Sequence, residues 1–431
     1  MADPVIVFNS STGSDSLASG AGPASAVTGS SASPSGTIVD VSGDSPDLSS
    51  IAVDGSAVLF VNSASGRKFA AIAAVDNTAK TITCSQSFAS GSGLSWAVGG
   101  KRSTFDSSSE VFPDADDNWT IETETDQDVT QEFQLTSGAT GVTVRAASGV
   151  MRTLDRTNAP GSNEGLFHLT TANGSWSFED LKMQNSFASG TKAYGVRCSR
   201  ANSPIAFRGC VLGDPVHKLR TAIHRQTQAC QFWVIESVIQ HCTGRGLYQG
   251  GSSGHVQVAT SCFKNNGSDG LYDASQTAVV VNNIFANNGT RGAYLRAAYC
   301  AIGNVAHGNS HDGMQAGTST ASRVVGNNVA TNNGRYGFTI NAHNNLGNAT
   351  FGNATAAYSP TYASGQSSND IALASLPYED AVAENFLWKS DSELVSYLKA
   401  ISATNSRPYG VFSPQGGGVT SGGVPISRVV N

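Results

Sequence analysis

The stretch Val279-Val280-Val281-Asn282-Asn283-Ile284-Phe285-Ala286-Asn287-Asn288-Gly289, followed by Gly292-Ala293-Tyr294-Leu295, decides the reading of this chain. Its short apolar runs are separated by Asn/Gly turns, the pattern of brief β-strands. The same plan returns on both sides. A small residue before an apolar one recurs at Gly165-Leu166, Gly195-Val196, Ala222-Ile223, Gly246-Leu247, Gly270-Leu271, Gly292-Ala293, Gly313-Met314 and Gly337-Phe338, at intervals of 30, 27, 24, 24, 22, 21 and 24 residues. A second anchor follows at Asp180-Leu181, Cys210-Val211, Ser237-Val238, Ser261-Cys262, Asn283-Ile284, Asn304-Val305 and Asn328-Val329. It trails the first by 15 residues in four coils, then by 13, 12 and 15, so insertions fall at turns while strands hold their place. Self-similarity at such a period marks a solenoid. With strand-like units, the expected fold is an all-β parallel β-helix.

Alternation along a strand assigns the faces. Leu166, Val196, Ile223, Leu247, Leu271, Ala293, Met314 and Phe338 are all apolar and are expected to face the core. Phe167, Arg197, His224, Tyr248, Tyr272, Tyr294, Gln315 and Thr339 follow them and are expected to face out. Coils stack at ~4.8 Å, so Tyr248, Tyr272 and Tyr294 should form an outward aromatic ladder. Such a ladder stabilises a sheet face, or it offers a contact surface to a sister subunit or a sugar, because tyrosine joins an apolar ring to a hydroxyl.

One residue before the first anchor, Arg245, Asp269, Arg291 and Asp312 alternate in charge up the stack. They read as an ion-pair ladder, or as a catalytic pair of Asp269 and Asp312. Two coils would separate those carboxylates by roughly 9–10 Å, near the upper limit of the ~6.5–9.5 Å of an inverting glycosidase. Arg291 between them would favour both as anions, whereas a general acid must keep its proton. Asn283, Asn304, Asn328 and Asn348 repeat at the second anchor and should hydrogen-bond from coil to coil. Asn265-Asn266-Gly267, Asn287-Asn288-Gly289 and Asn332-Asn333-Gly334 repeat at the turn that follows, where Asn-Gly would supply the positive φ of a tight turn.

Composition agrees with this class. There are 47 glycines and only 13% charged residues, and the formal net charge of −6 argues against a nucleic-acid surface. The opening Met1-Ala2-Asp3-Pro4 lacks a basic, apolar leader, so no secretory signal is expected, and no apolar run is long enough for membrane insertion. Seven cysteines without a C-x-x-C pair point to buried free thiols rather than a disulfide framework or zinc. The histidines show no metal-binding spacing, and neither a metal nor another cofactor is expected.

In chain order, residues 1–36 form a low-complexity arm, and 37–117 a small β domain with its acidic junction. Residues 118–357 are the β-helix, and 358–431 a C-terminal cap and extended tail. Ser390-Asp391-Ser392-Glu393 before Leu394, Val395, Leu398 and Ile401 predicts a short capping helix over the open end of the solenoid.

The Val279–Gly289 and Gly292–Leu295 segments resemble the right-handed parallel β-helix repeat proteins, a superfamily that includes pectate lyases, polygalacturonases and phage tailspikes. The polygalacturonase motifs do not occur on the coils. Between Thr191 and Tyr358 the acidic residues are only Asp214, Glu236, Asp269, Asp273 and Asp312, so a lyase-like site would rest on Asp269 and Asp273 beside Arg291. No catalytic residue is assigned; Asp269, Asp312, Asp273 and Arg291 are the candidates an enzyme would use. The layout of arm, small β domain with Trp96-Ala97-Val98-Gly99-Gly100-Lys101-Arg102, β-helix and cap with Asn385-Phe386-Leu387-Trp388 also looks like β-helix proteins of tailed-phage virions. That resemblance implies a non-enzymatic virion protein, a homotrimer attached to other virion proteins by its N-terminal arm and β domain. The alternative is a tailspike that binds or degrades a host surface polysaccharide, with Tyr248, Tyr272 and Tyr294 as its contact residues.

Overall fold

In the computed structural model, the described residues are 5–8, 27–53, 57–62, 69–98, 118–130, 132–135, 141–147, 150–160, 164–169, 174–187, 193–199, 204–225, 230–251, 253–275, 277–317, 322–345, 347–360, 370–380 and 385–388. The chain divides into two compact units, residues 1–210 and 211–431. The division falls inside the stretch expected as one β-helix. Each coil of a solenoid contacts only its neighbours, so a turn between coils can serve as a boundary.

The first unit holds a closed antiparallel barrel of five strands, in the order Val27–Asp40, Thr81–Phe88, Phe69–Asp76, Val58–Val61 and Leu94–Val98. The hairpin expected at 72–83 is there, with its polar turn between paired strands. Alternation fills the barrel with Val39, Leu59, Ile72, Ile82 and Trp96. Asp44 closes one side: its Oδ2 accepts from the Ser31 hydroxyl at 2.6 Å, the Ser30 and Ser31 amides at 2.9 Å and Trp96 Nε1 at 2.8 Å. The Ser31 hydroxyl does most to hold that carboxyl down at about 2. The segment expected as an arm contributes two strands, since Val27–Asp40 belongs to the barrel and Val5–Phe8 pairs in parallel with Asn118–Thr123 of the first coil.

The coils of this unit have three faces. Asn118–Thr123, Gly141–Ala146, Ser175–Glu179 and Pro204–Arg208 stack on one, and Gln127–Val129, Arg152–Arg156 and Leu181–Gln184 on the next. Phe133–Leu135, Gly165–Leu169 and Tyr194–Cys198 form the third. Here the expected facing needs correction. Phe167, assigned outward, is wholly buried and pairs with Val196 and Phe133. Gly165 is level with Tyr194, not Gly195, so the 30-residue interval hides a one-residue register shift, which turns a strand over. Phe167 joins an interior file with Phe133, Phe178 and Phe207, ring centroids 5.0–5.6 Å apart.

The second unit repeats the three faces with tighter register. On one face Ile223, Leu247, Leu271, Ala293, Met314 and Phe338 are in line and buried, as expected, while His224, Tyr248, Tyr272, Tyr294, Gln315 and Thr339 form the adjacent line. On the face after the second anchor, both rows are apolar. Ile239, Phe263 and Phe285 make one, and Val238, Cys262, Ile284, Val305, Val329 and Ala349 make the other, with Leu373 and Leu376 packed on it.

Two asparagine files run along the turns. Asn283, Asn304, Asn328 and Asn348 form one, each donating its backbone and side-chain N–H groups to the next Oδ1 at 2.9–3.0 Å. Asn266, Asn288, Asn309, Asn333 and Asn353 form the other. The Asn-Gly turns work differently from expectation. Positive φ falls on Asn265, Asn287 and Asn332, the first Asn of each triplet. Gly289 is required by proximity instead, because a Cβ there would lie 2.3 Å from the Gly267 carbonyl oxygen of the coil below.

Five cysteines are free thiols: Cys84, Cys210, Cys242, Cys262 and Cys300. Burial pushes Cys210 and Cys242 up to about 12, so both are inert. Cys198 and Cys230 depart from expectation and are disulfide-bonded. The predicted capping helix at 390–401 lies outside the described residues. No helix is long and apolar enough to cross a membrane among the described residues.

Candidate functional site

The turn leading into the tyrosine-bearing strands brings the charge ladder together. The amides of Gly246, Gly270 and Gly292 donate to the carbonyls of Asp269, Arg291 and Asp312, which places Arg245, Asp269, Arg291 and Asp312 on four successive coils. Asp269 Oδ1 accepts from Arg291 Nε at 2.8 Å and the Thr290 hydroxyl at 2.7 Å, and Oδ2 accepts from Arg245 Nε at 3.0 Å. Burial alone would raise the Asp269 carboxyl, but the hydrogen bonds from Arg291, Thr290 and Arg245 prevail and hold it below the ordinary range. Asp312 is fully buried and takes a forked pair of bonds from Arg335 Nε at 2.7 Å and Nη2 at 2.6 Å, with the Thr339 hydroxyl at 3.2 Å. Arg335 escaped the sequence argument because it belongs to the next turn column. Its amide bonds to the His311 carbonyl, not to the anchor row.

The geometry therefore separates the candidate acids from the work of an acid. Arg291 stands between Asp269 and Asp312 and gives its Nη1 to Gln315 Oε1 at 2.8 Å. A carboxylate whose oxygens are filled by guanidinium donors has no lone pair turned to a substrate. Asp273 does not join Asp269. It lies two residues past Leu271 within the strand Leu271–Asp273, fully buried, and accepts from the Ser275 amide at 2.9 Å and hydroxyl at 2.8 Å. Its charged neighbour is Arg225 rather than Arg291, and burial pushes its carboxyl up to about 6.

Tyr248, Tyr272 and Tyr294 stand on consecutive coils as half-buried residues. The rings are 5.3 Å and 4.6 Å apart, and His224 continues the stack at 5.3 Å from Tyr248. Guanidinium groups lie against them: Arg245 4.7 Å from Tyr248 and 4.4 Å from Tyr272, and Arg291 4.5 Å from Tyr294. The ring faces of Tyr248 and Tyr272 are thereby occupied by neighbouring rings. The Tyr248 hydroxyl lies over Gly250, where a Cβ would come within 2.2 Å of it.

A second polar cluster, unforeseen from sequence, lies in the first unit. Ser199 Oγ is 2.6 Å from His168 Nε2, and Glu132 Oε2 is 3.4 Å from His168 Nδ1, which outlines a nucleophile, a base and an orienting carboxylate. Arg197 intrudes on that arrangement. Its Nη2 is 2.8 Å from Nδ1 and a guanidinium only donates, so Arg197 and Glu132 meet at the same ring nitrogen. Arg197 also grips Glu132 through Nε at 2.6 Å and Nη2 at 2.8 Å, and although burial opposes it, hydrogen bonds from His168, Arg197 and the Gly165 N–H hold Glu132 at about 2. Among the described residues, no group of three or more His, Cys, Asp or Glu side chains could hold a metal ion.

Residues 165–329 match the family described as "Right handed beta helix region". No curated protein matches the chain. Among solved structures, the catalytic domain of a GH87 alpha-1,3-glucanase in complex with nigerose is similar over 80% of this chain and 87% of its own, at 8% identity and a TM-score of 0.24. The tailspike protein gp49 from Pseudomonas phage LKA1 is similar over 86% of this chain and 70% of its own, at 13% identity and a TM-score of 0.21.

Proposed function

We propose that this right-handed parallel β-helix chain is a non-catalytic structural protein of a tailed-phage virion. In this reading it is a homotrimer, attached to other virion proteins through its N-terminal segment and barrel. The observation that carries the non-catalytic part is the state of Asp269 and Asp312: both are buried and saturated by arginine, so the residues best spaced for hydrolysis act as struts between coils. The virion part rests on the resemblance in layout, a small β-barrel before a β-helix. Mass measurement of the purified protein together with co-sedimentation on phage particles tests it. A trimer that co-sediments is expected; a stable monomer without affinity for particles overturns it.

A second reading is favoured by one specific feature, the half-exposed ladder of Tyr248, Tyr272 and Tyr294 with its arginines. There the face binds a surface polysaccharide without cleaving it. Incubation with host glycans separates the readings. Cleavage that is lost in Asp269→Asn or Asp312→Asn variants would restore an enzyme; binding without cleavage supports recognition alone.

A further inference from the structure

We infer that the tyrosine and arginine face of residues 220–340 recognises a carboxylate-bearing polysaccharide rather than a neutral one, an inference that rests on the polysaccharide-binding reading. Three observations converge. First, residues 211–360 contain nine Lys and Arg against five Asp and Glu, in a chain of net charge −6. Second, the carboxylates on this face are hidden while the cations are not: Asp269 and Asp312 are 1% and 0% exposed as side chains, Arg245 and Arg335 35% and 48%. Three guanidiniums face two buried carboxylates, so this cluster carries one positive charge more than its carboxylates balance. Third, Arg245 uses only Nε and Arg335 only Nε and Nη2 on their aspartates, which leaves both Nη groups of Arg245 and Nη1 of Arg335 as donors. A guanidinium edge of this kind matches a carboxylate.

The same geometry disfavours the other occupants. The core of an obligate subunit interface is depleted of charge, and this face is built on arginine. Single-stranded nucleic acid is bound by stacking bases on open aromatic faces, whereas the Tyr272 ring is held between Tyr248 and Tyr294. What the face offers, guanidinium donors spread over successive coils beside stacked rings, suits an acceptor-rich, anionic sugar chain that crosses several coils.

Affinity electrophoresis of the full-length protein tests this with three probes: alginate as a polyuronate, dextran as a neutral chain, and polyphosphate. Retardation by alginate that falls with salt, and that weakens about tenfold in Arg245→Gln or Arg335→Gln, is the expected result. Arg145→Ala, a surface ion-pair residue of the first unit, serves as the control and should bind like wild type. Equal retardation by dextran overturns the inference while leaving polysaccharide binding intact, and polyphosphate binding as tight as alginate reduces it to general anion attraction and overturns it. Absence of retardation by either polysaccharide removes the underlying reading too. Should a variant fail to fold, the three-probe comparison on the wild type still decides.

Discussion

Arg291 Nε donates to Asp269 Oδ1 across 2.8 Å, joining two adjacent coils through a carboxylate that is 1% exposed. The carboxyl is depressed, so its contribution to stability is present above the unfolded value near 4 and is lost as pH falls below it through the folded value. Asp269→Asn keeps one acceptor but loses the charge. The guanidiniums are partly in water and can rehydrate, so the cost is about 1–3 kcal/mol rather than that of a fully buried pair. Urea denaturation at pH 7 and pH 3 checks this: the gap between wild type and variant should shrink at the lower pH.

The asparagine file predicts a larger loss. Asn304 Oδ1 accepts from the Asn283 amide and side chain at 3.0 Å, and its Nδ2 donates to the Val280 carbonyl and Asn328 Oδ1 at 2.9 Å. Asn304→Leu strands all of these groups in a buried site. At about 1–3 kcal/mol for each group left unpaired, the variant should lose more than about 3 kcal/mol. Val216→Ala, at a residue 76% exposed, should stay within about 0.5 kcal/mol of wild type in the same denaturation series.

Tyr272 separates ring from hydroxyl. Its ring is stacked between Tyr248 and Tyr294, so Tyr272→Ala loses two ring contacts and should cost about 2–4 kcal/mol. Tyr272→Phe keeps both contacts and should melt within a degree or two of wild type, about 0.5 kcal/mol or less. A Phe variant as unstable as Ala would mean that the hydroxyl, not the stack, holds this face.

What the sequence made legible was periodic. The repeat from Gly165 to Phe338, the inward row from Ile223 to Phe338, the tyrosine ladder and the Asn283 file all follow from spacing, because stacked coils force equivalent residues into line. Phe167 was misread because one shifted residue reverses a strand's facing and leaves the composition unchanged. Arg335 and the Glu132, His168, Arg197 and Ser199 cluster were invisible for a related reason. Their contacts join residues 23 to 65 positions apart, and although His168 and Arg197 are level on adjacent strands, Glu132 and Ser199 reach them from outside that row. Asp273 looked like a partner of Asp269 by proximity along the chain, yet alternation sends it inward while Tyr272 beside it lies in the tyrosine line.

That inward carboxyl gives the protein a pH dependence of opposite sign to Asp269. Asp273 is fully buried, and burial lifts it to about 6 against the opposing bonds from Ser275 and the charge of Arg225. Its register partner Gln249 holds a buried Oε1 without a hydrogen-bond partner among the described residues, and an amide oxygen, which only accepts, adds no support for the anion. Between about pH 4 and pH 6 the folded chain holds a proton that the unfolded chain has released. Stability from this group is therefore full below pH 4, falls as pH rises, and levels off above 6. The difference is on the order of 2–3 kcal/mol. Asp273→Asn is neutral throughout and removes the slope. Melting curves from pH 4 to 7.5 should show the variant gaining on wild type up to about pH 6 and holding a constant lead beyond it. A lead that does not change with pH would mean that Asp273 is already ionised in the fold, held there by Arg225.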